Sequence, residues 1–217
     1  GNQFVKTTNI SFLIFDGFPM ACLTSMIEPL RVANEISSSN VFKWQLLSED
    51  GLPITASAAI TFDVADALSI KSVPQYLVFL SPPKSKFKNT QSLGRLRHLS
   101  RHGCILCSVS GGVFPLARTK LAAKVPLSVH WCYQAAFKRE FPNYLLSNRI
   151  IEISSSFVTA SGSAGGFEVA LNLIENRLGP NVSTEVACWF QHPMMRKTGV
   201  SQITPLPDDP NTKEKLP

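Results

Sequence analysis

The feature that most constrains this chain is the alternation of strand-sized apolar runs with stretches of helical periodicity. Ile10 to Phe15 (ISFLIF), Tyr76 to Leu80 (YLVFL) and Cys104 to Val109 are short apolar runs, and they stop at Asp16-Gly17, Ser81-Pro82-Pro83 and Ser110-Gly111-Gly112. A strand that is apolar throughout must be covered on both faces, as in a parallel sheet between helical layers. From Met20 to Ile36 the apolar residues Cys22, Met26, Leu30 and Ala33 recur at helical spacing, and Pro29 is expected to kink or interrupt that helix. Phe42, Trp44 and Leu46 alternate with Lys43 and Gln45 like a half-buried strand, which the turn Glu49-Asp50-Gly51 follows, with a hairpin or short excursion beyond it.

The second half repeats the theme. Leu93 to Leu99, Val113 to Leu121 and Trp131 to Phe141 read as helices, and Leu127 to Val129, Ile150 to Ile153 and Phe157 to Ala160 as strands. Gly162 to Gly166 opens an amphipathic helix whose apolar positions are Phe167, Ala170, Leu171, Ile174 and Leu178, ending at Gly179; Pro180 to Phe190 supplies one more. The order predicts an α/β fold with a mainly parallel sheet, whose ligand sites gather at the carboxyl ends of the strands.

Composition narrows the class. With 217 residues the chain makes one large domain or one domain with an appendage, and 44% hydrophobic against 17% charged residues excludes a disordered or coiled-coil chain. No apolar run approaches the roughly 18 residues that cross a bilayer. The start has no basic region followed by an apolar one, so a cytoplasmic location is expected. Cys22, Cys104, Cys107, Cys132 and Cys188 have apolar neighbours and read as buried free thiols. The net charge of +6 is too small to establish nucleic-acid binding by itself. Residues 203–217 hold four prolines among little apolar material and read as a linker.

Three motifs bear on chemistry. Cys104-Ile-Leu-Cys107 has redox spacing, but residues three apart on a strand face opposite sides, roughly 10 Å apart at about 3.3 Å per residue, too far for a disulfide. No second ligand pair with zinc spacing exists, so no metal site is expected and the thiols are assigned to packing. Ser110-Gly111-Gly112 stands where an apolar strand runs into a helix, the context that exposes a nucleophile on a sharp turn and offers helix-start N–H groups to an anion. His130, at the end of the strand Leu127 to Val129, could approach Ser110 in space. The basic stretch Lys84, Lys86, Lys88, Arg95, Arg97 and Arg101 reads as a solvated loop and helix face, with no interleaved aromatics and no helix-turn-helix pattern.

Taken together, several segments resemble the amidase-like AraC-type transcriptional regulators, whose amino-terminal sensor domain is of the class I glutamine amidotransferase-like, PfpI-related type. The resemblance rests on Ile27-Glu-Pro-Leu-Arg-Val-Ala-Asn34, Phe42-Lys-Trp44, Ser48-Glu-Asp-Gly51 and Gly112-Val-Phe-Pro-Leu-Ala117. It extends through Ser128-Val-His-Trp131, Phe141-Pro142, Thr159-Ala-Ser-Gly162 and Gly166-Phe-Glu-Val-Ala-Leu171 to Leu178-Gly179. It implies a flavodoxin-like or Rossmann-like three-layer sandwich over residues 1–202, followed by a linker, 203–217, toward a carboxyl-terminal helix-turn-helix domain outside this sequence.

Related enzymes of that superfamily carry a cysteine on the elbow, a nearby histidine and often an acidic residue from the first helix; the matching positions are Ser110, His130 and Glu28. Serine needs a well-placed base to rival a thiolate, and Leu80-Ser-Pro-Pro83 stands where a glycine usually donates to the oxyanion hole, although proline has no N–H. Losing such a donor costs roughly 2.7 to 4 kcal/mol of transition-state stabilisation. The expectation is therefore a non-catalytic, dimerising sensor, without a cofactor. It would bind a small metabolite (an amine, quaternary ammonium compound or amino-acid derivative) through Glu28, Ser110, Gly111, Gly112, His130 and Trp131, and would act on promoter DNA through the missing domain. The alternative is a serine-dependent amidase or esterase using Ser110 and His130.

Overall fold

The structure, a computed structural model, describes residues 6–193 and 200–205. In chain order its strands and helices are β1 (Thr8–Ile14), α1 (Met20–Ser37), β2 (Phe42–Ser48), β3 (Ile54–Thr55), β4 (Thr61–Phe62), β5 (Asp66–Ala67), β6 (Tyr76–Leu80), α2 (Ser92–Arg101) and β7 (Ile105–Val109). There follow α3 (Val113–Arg118), β8 (Leu127–Ser128), α4 (Gln134–Glu140), β9 (Leu146–Ser147), β10 (Ile151–Ile153), β11 (Phe157–Ala160), α5 (Ser163–Leu178) and α6 (Pro180–Trp189). A seven-stranded sheet runs in the order β10-β11-β7-β6-β1-β2-β5, parallel except at the β10–β11 edge.

The apolar side chains of β1 cover both faces of the strand, as expected. Ile10, Phe12 and Ile14 enter one core layer with α1, α5 and α6, while Leu13 and Phe15 enter the opposite layer with α2, α3 and α4. Each such side chain taken fully from water contributes about 1.5 to 3 kcal/mol. The result is the expected three-layer α/β sandwich of flavodoxin-like type. Its chain order reverses between β1 and β6: β2 and β5 lie on one side of that pair, β7 and β11 on the other. The strand ends β1, β6 and β7, and the loops after them, consequently share one rim.

Several local expectations are revised. Pro29 does not interrupt α1, which runs through it. The missing N–H costs one bond to the Ser25 carbonyl, a loss of order 1 kcal/mol, and burial of Cys22, Met26, Leu30 and Ala33 against the sheet outweighs it. The helix after Ser110 stops at Arg118 rather than Leu121, because Lys120 adopts φ +62°, outside the helical region. The segment Trp131 to Phe141 divides into a single 3-10 turn, Trp131–Tyr133, and then α4. The excursion after β2 is the small β3–β4 hairpin, Ile54 opposite Phe62.

Cys104 packs in one core layer and Cys107 in the other, so the sheet itself separates the two sulfurs. Cys22, Cys104 and Cys107 are buried free thiols, but Cys132 is only half-buried and Cys188 is exposed on the outer face of α6, against the expectation of five buried ones. Among the described residues no helix is long and apolar enough to cross a membrane.

Candidate functional site

The site is built at the end of β7. Ser110 follows the strand with φ +54° and is 9% exposed. A left-handed conformation costs a non-glycine residue about 1 to 2 kcal/mol, so surrounding packing must impose it, as on a strand-to-helix elbow. That packing is visible at the next two residues. A Cβ at Gly111 would collide with the Ser81 carbonyl oxygen and come within 2.9 Å of the Pro83 nitrogen, and one at Gly112 would collide with the Phe79 carbonyl oxygen. The glycines let β6 and its following loop close directly over the elbow.

That loop is fixed from both ends. Arg118 donates through Nη1 to the carbonyl oxygens of Pro83 and Ser85, each at 2.7 Å, and through Nε and Nη2 to both oxygens of Glu140. The guanidinium holds the Glu140 carboxyl below the usual carboxylate range. Further along, Glu49 accepts from the N–H groups of Lys88 and Asn89 and from the Ser92 hydroxyl. Lys84, Lys86 and Lys88 are exposed on this loop, as a solvated basic face requires.

His130 arrives from β8. Ser128 pins that strand end, its N–H donating to Thr159 Oγ1 at 2.8 Å and its hydroxyl to the Arg149 carbonyl at 2.6 Å. The His130 ring lies 5.5 Å from the Trp131 ring and 5.3 Å from the Tyr133 ring, and its Cδ2 edge faces Gly162, ahead of α5. Its Nδ1 accepts from the Cys132 N–H at 3.1 Å and so caps the 3-10 turn. Burial pushes its pKa down. In the neutral ring an Nδ1 acting as acceptor leaves the proton on Nε2.

Tyr133 joins the two halves. Its pKa is raised chiefly by burial, with further contributions from Cys132 and from the Cys22 thiol of α1, while the Ser110 side chain beside it acts in the opposite direction. Burial pushes Cys22 itself up to about 12, so near pH 7 it is a neutral thiol. The residue that α1 presents near Tyr133 is thus Cys22. Ser25, one turn on, faces the start of α5, where a Cβ at Gly166 would come within 2.7 Å of its hydroxyl.

The structure brings Ser110, Gly111, Gly112, His130 and Trp131 to one end of the sheet and places Glu28 elsewhere. Glu28 is six residues beyond Cys22, about 240° further round the helix at 100° per residue. Its carboxylate accepts from Arg31 Nε at 2.5 Å, and Arg31 also binds Glu35. Arg31 and Glu35 line a surface groove with Trp44 of β2, across β1 and β6 from the elbow. Tyr133 and Cys22 were not among the sequence candidates. Tyr133 carries a weak signal, an aromatic three residues after His130; Cys22 carries none beyond its place on the buried face of α1.

No hydrogen bond links His130 to Ser110, and among the described residues no three His, Cys, Asp or Glu side chains could together hold a metal ion. Chemically the arrangement offers one hydroxyl on a strained backbone, one phenol, an imidazole whose Nδ1 is in use and an indole.

No protein-family model matches the chain. It is 30% identical over 200 residues to the HTH-type transcriptional regulator GbdR of Pseudomonas aeruginosa, an alignment covering 91% of this chain and 54% of that protein. The chain therefore spans about half the length of the curated relatives it matches. Among solved structures it superposes on an AraC family transcriptional regulator from Pseudomonas putida with a TM-score of 0.74 at 21% identity, covering 84% of this chain and 98% of that one. It also superposes on a ThiJ/PfpI family protein from Pseudomonas syringae with a TM-score of 0.70 at 12% identity, covering 87% and 76%.

Proposed function

We propose that this chain, a relative of the HTH-type transcriptional regulators of the AraC family with the fold of the ThiJ/PfpI proteins, is a small-molecule-sensing module rather than a hydrolase. The observation that carries this reading is the commitment of His130 Nδ1 to the Cys132 N–H. A general base needs a free lone pair directed at the nucleophile, and the neutral His130 ring offers only an N–H on its other nitrogen. Two features of the same site agree with it. The nitrogen that packs against Gly111 belongs to Pro83, which has no hydrogen to give an oxyanion, and the nearby thiol, Cys22, is too weak an acid to supply a thiolate.

In this reading Ser110, Gly111, Gly112, His130 and Trp131 contact the ligand, Tyr133 and Cys22 complete the wall, and Glu28 stands outside it. The rings of Trp131 and Tyr133 suit a cationic head group, worth about 0.5 to 2 kcal/mol over an aromatic face. The ligand class is an amine, a quaternary ammonium compound or an amino-acid derivative. Residues 1–202 form the sensing domain and 203–217 the linker, of which 206–217 lie outside the described residues. The module works as a homodimer, and its output is promoter binding by a helix-turn-helix domain outside this sequence.

Thermal denaturation with tetramethylammonium, choline and a set of amino acids tests the proposal. The expected result is a saturable rise in Tm for at least one compound, corresponding to about 2.7 kcal/mol at a hundredfold excess over Kd, which Trp131→Ala abolishes. Turnover of a nitrophenyl ester or amide that Ser110→Ala removes would replace the sensor by the hydrolase.

A further inference from the structure

The chain returns to the site after α6. Val200, Ser201 and Gln202 lie beside residues 148–150: the Ile150 N–H donates to the Val200 carbonyl at 3.0 Å, the Gln202 N–H to the Asn148 carbonyl at 3.0 Å, and Ser201 forms an antiparallel bridge with Arg149. The side chain of Gln202 then reaches past that segment. Its Nε2 donates to the Val129 carbonyl at 2.8 Å and its Oε1 accepts from the Trp131 N–H at 2.9 Å. One carboxamide thus grips the peptide groups immediately before and after His130, using both its donor and its acceptor.

A planar amide bonded to the two backbone groups flanking one residue restrains that residue's backbone from both sides; the Val129 carbonyl also accepts from Gln134 Nε2 at 3.3 Å, so it is the Trp131 N–H that loses its acceptor when Gln202 is released. The ring of His130 is accordingly set from two directions: the Cys132 N–H holds Nδ1, and Gln202 holds the main chain on each side. The gripping residue is the last described one with a hydrogen bond to the domain, at the boundary of the segment read above as the linker. Movement of His130 or Trp131 and movement of residues 200–202 are therefore mechanically linked.

We propose that Gln202 is the positioning residue of the His130–Trp131 site and the point at which occupation of that site is passed to the segment leaving the domain. The second half of the statement rests on the sensor reading; the first does not. Coupling of this kind needs a physical element that both ends bias, and the carboxamide bridge is one.

Amide hydrogen exchange and NMR titration of the His130 ring, on the whole chain as wild type, Gln202→Ala and Gln202→Glu, test it. Gln202→Ala is expected to speed exchange at Trp131, Ile150 and Gln202 at least tenfold while amides of the central strands, such as Val78, keep their protection, and to move the His130 pKa upward. Gln202→Glu keeps an acceptor for the Trp131 N–H and loses the donor to Val129, so it should restore protection at Trp131. Unchanged exchange at Trp131 and an unchanged His130 titration in Gln202→Ala would overturn the positioning role, as would uniform loss of protection across the sheet. Tetramethylammonium chloride then separates the two halves. If it perturbs His130 and Trp131 and slows exchange at Ile150 and Gln202 in the wild type but not in Gln202→Ala, the coupling stands. Perturbation of His130 without any response at 200–202, or the same response at 200–202 in Gln202→Ala as in the wild type, refutes the coupling.

Discussion

The Tyr133 phenol lies beside the side chain of Ser110, which opposes the rise that burial imposes on its pKa. This places a residue held in a left-handed conformation at the end of β7 against an aromatic group that follows His130. A phenol whose pKa burial raises stays protonated across the physiological range. Tyr133→Phe removes the polar end of this half-buried phenol and is expected to change stability by no more than about 1 kcal/mol, measured as a shift in denaturation midpoint without a change in slope.

The backbone of the elbow makes a sharper prediction. Ser110→Val places a β-branched side chain at φ +54° and should cost about 1 to 3 kcal/mol. Gly112→Ala drives a methyl group into the Phe79 carbonyl oxygen and should cost at least as much. Gly94 is the control: nothing lies within 4 Å of a Cβ there, it sits inside α2, and Gly94→Ala should stabilise by up to about 1 kcal/mol. Chemical denaturation of the three variants decides the point, and similar stabilities for Gly112→Ala and Gly94→Ala would refute the close approach of β6 to the elbow.

His130 gives the site a pH signature of defined sign. Its folded pKa lies below the unfolded value of about 6.5 because burial disfavours the charged ring. Below that value the unfolded chain binds the proton more readily, so stability rises with pH in this window. The contribution is fully present above about pH 6.5 and is lost as pH falls through the folded pKa. Between pH 7.5 and 5.5 the wild type should lose more stability than His130→Asn, which retains a side-chain acceptor for the Cys132 N–H and does not titrate. An equal loss in the two proteins would contradict the buried neutral ring.

Arg118 is the clamp of the loop that covers Gly111. It is 16% exposed at its side chain and makes four hydrogen bonds. Arg118→Met removes the guanidinium that lies over the Phe114 ring and strands the Pro83 and Ser85 carbonyls, and should cost about 2 to 4 kcal/mol. Amides of residues 84–88 should also exchange faster. Normal exchange in that loop would show that Glu49 alone secures it.

The fold was legible because its signal is redundant. β1, β6 and β7 are apolar on both faces, and such strands fit only a covered parallel sheet. Boundaries were less legible where a single backbone angle decides them, as at Lys120, or where tertiary packing carries a helix across Pro29. At the site, the strand-Ser-Gly-Gly-helix pattern located Ser110, Gly111 and Gly112, because the steric demand for glycine is local. Glu28 illustrates the opposite case. Its place in a recognisable motif says which helix it is on, while the helix phase and the neighbouring Arg31 determine where it points. Cys22, Tyr133 and Gln202 were hidden for the same reason, since their roles depend on approaches between segments far apart in sequence.

The central claim is that this site recognises a ligand and does not turn one over. Isothermal titration of the whole chain with tetramethylammonium chloride, alongside Trp131→Ala and Ser110→Ala, tests it most directly. The account predicts saturable heat for the wild type, loss of that heat in Trp131→Ala, and weakened but measurable binding in Ser110→Ala, with no continuing reaction heat when ester or amide substrates are injected. A steady heat of hydrolysis from such substrates that Ser110→Ala eliminates would contradict it.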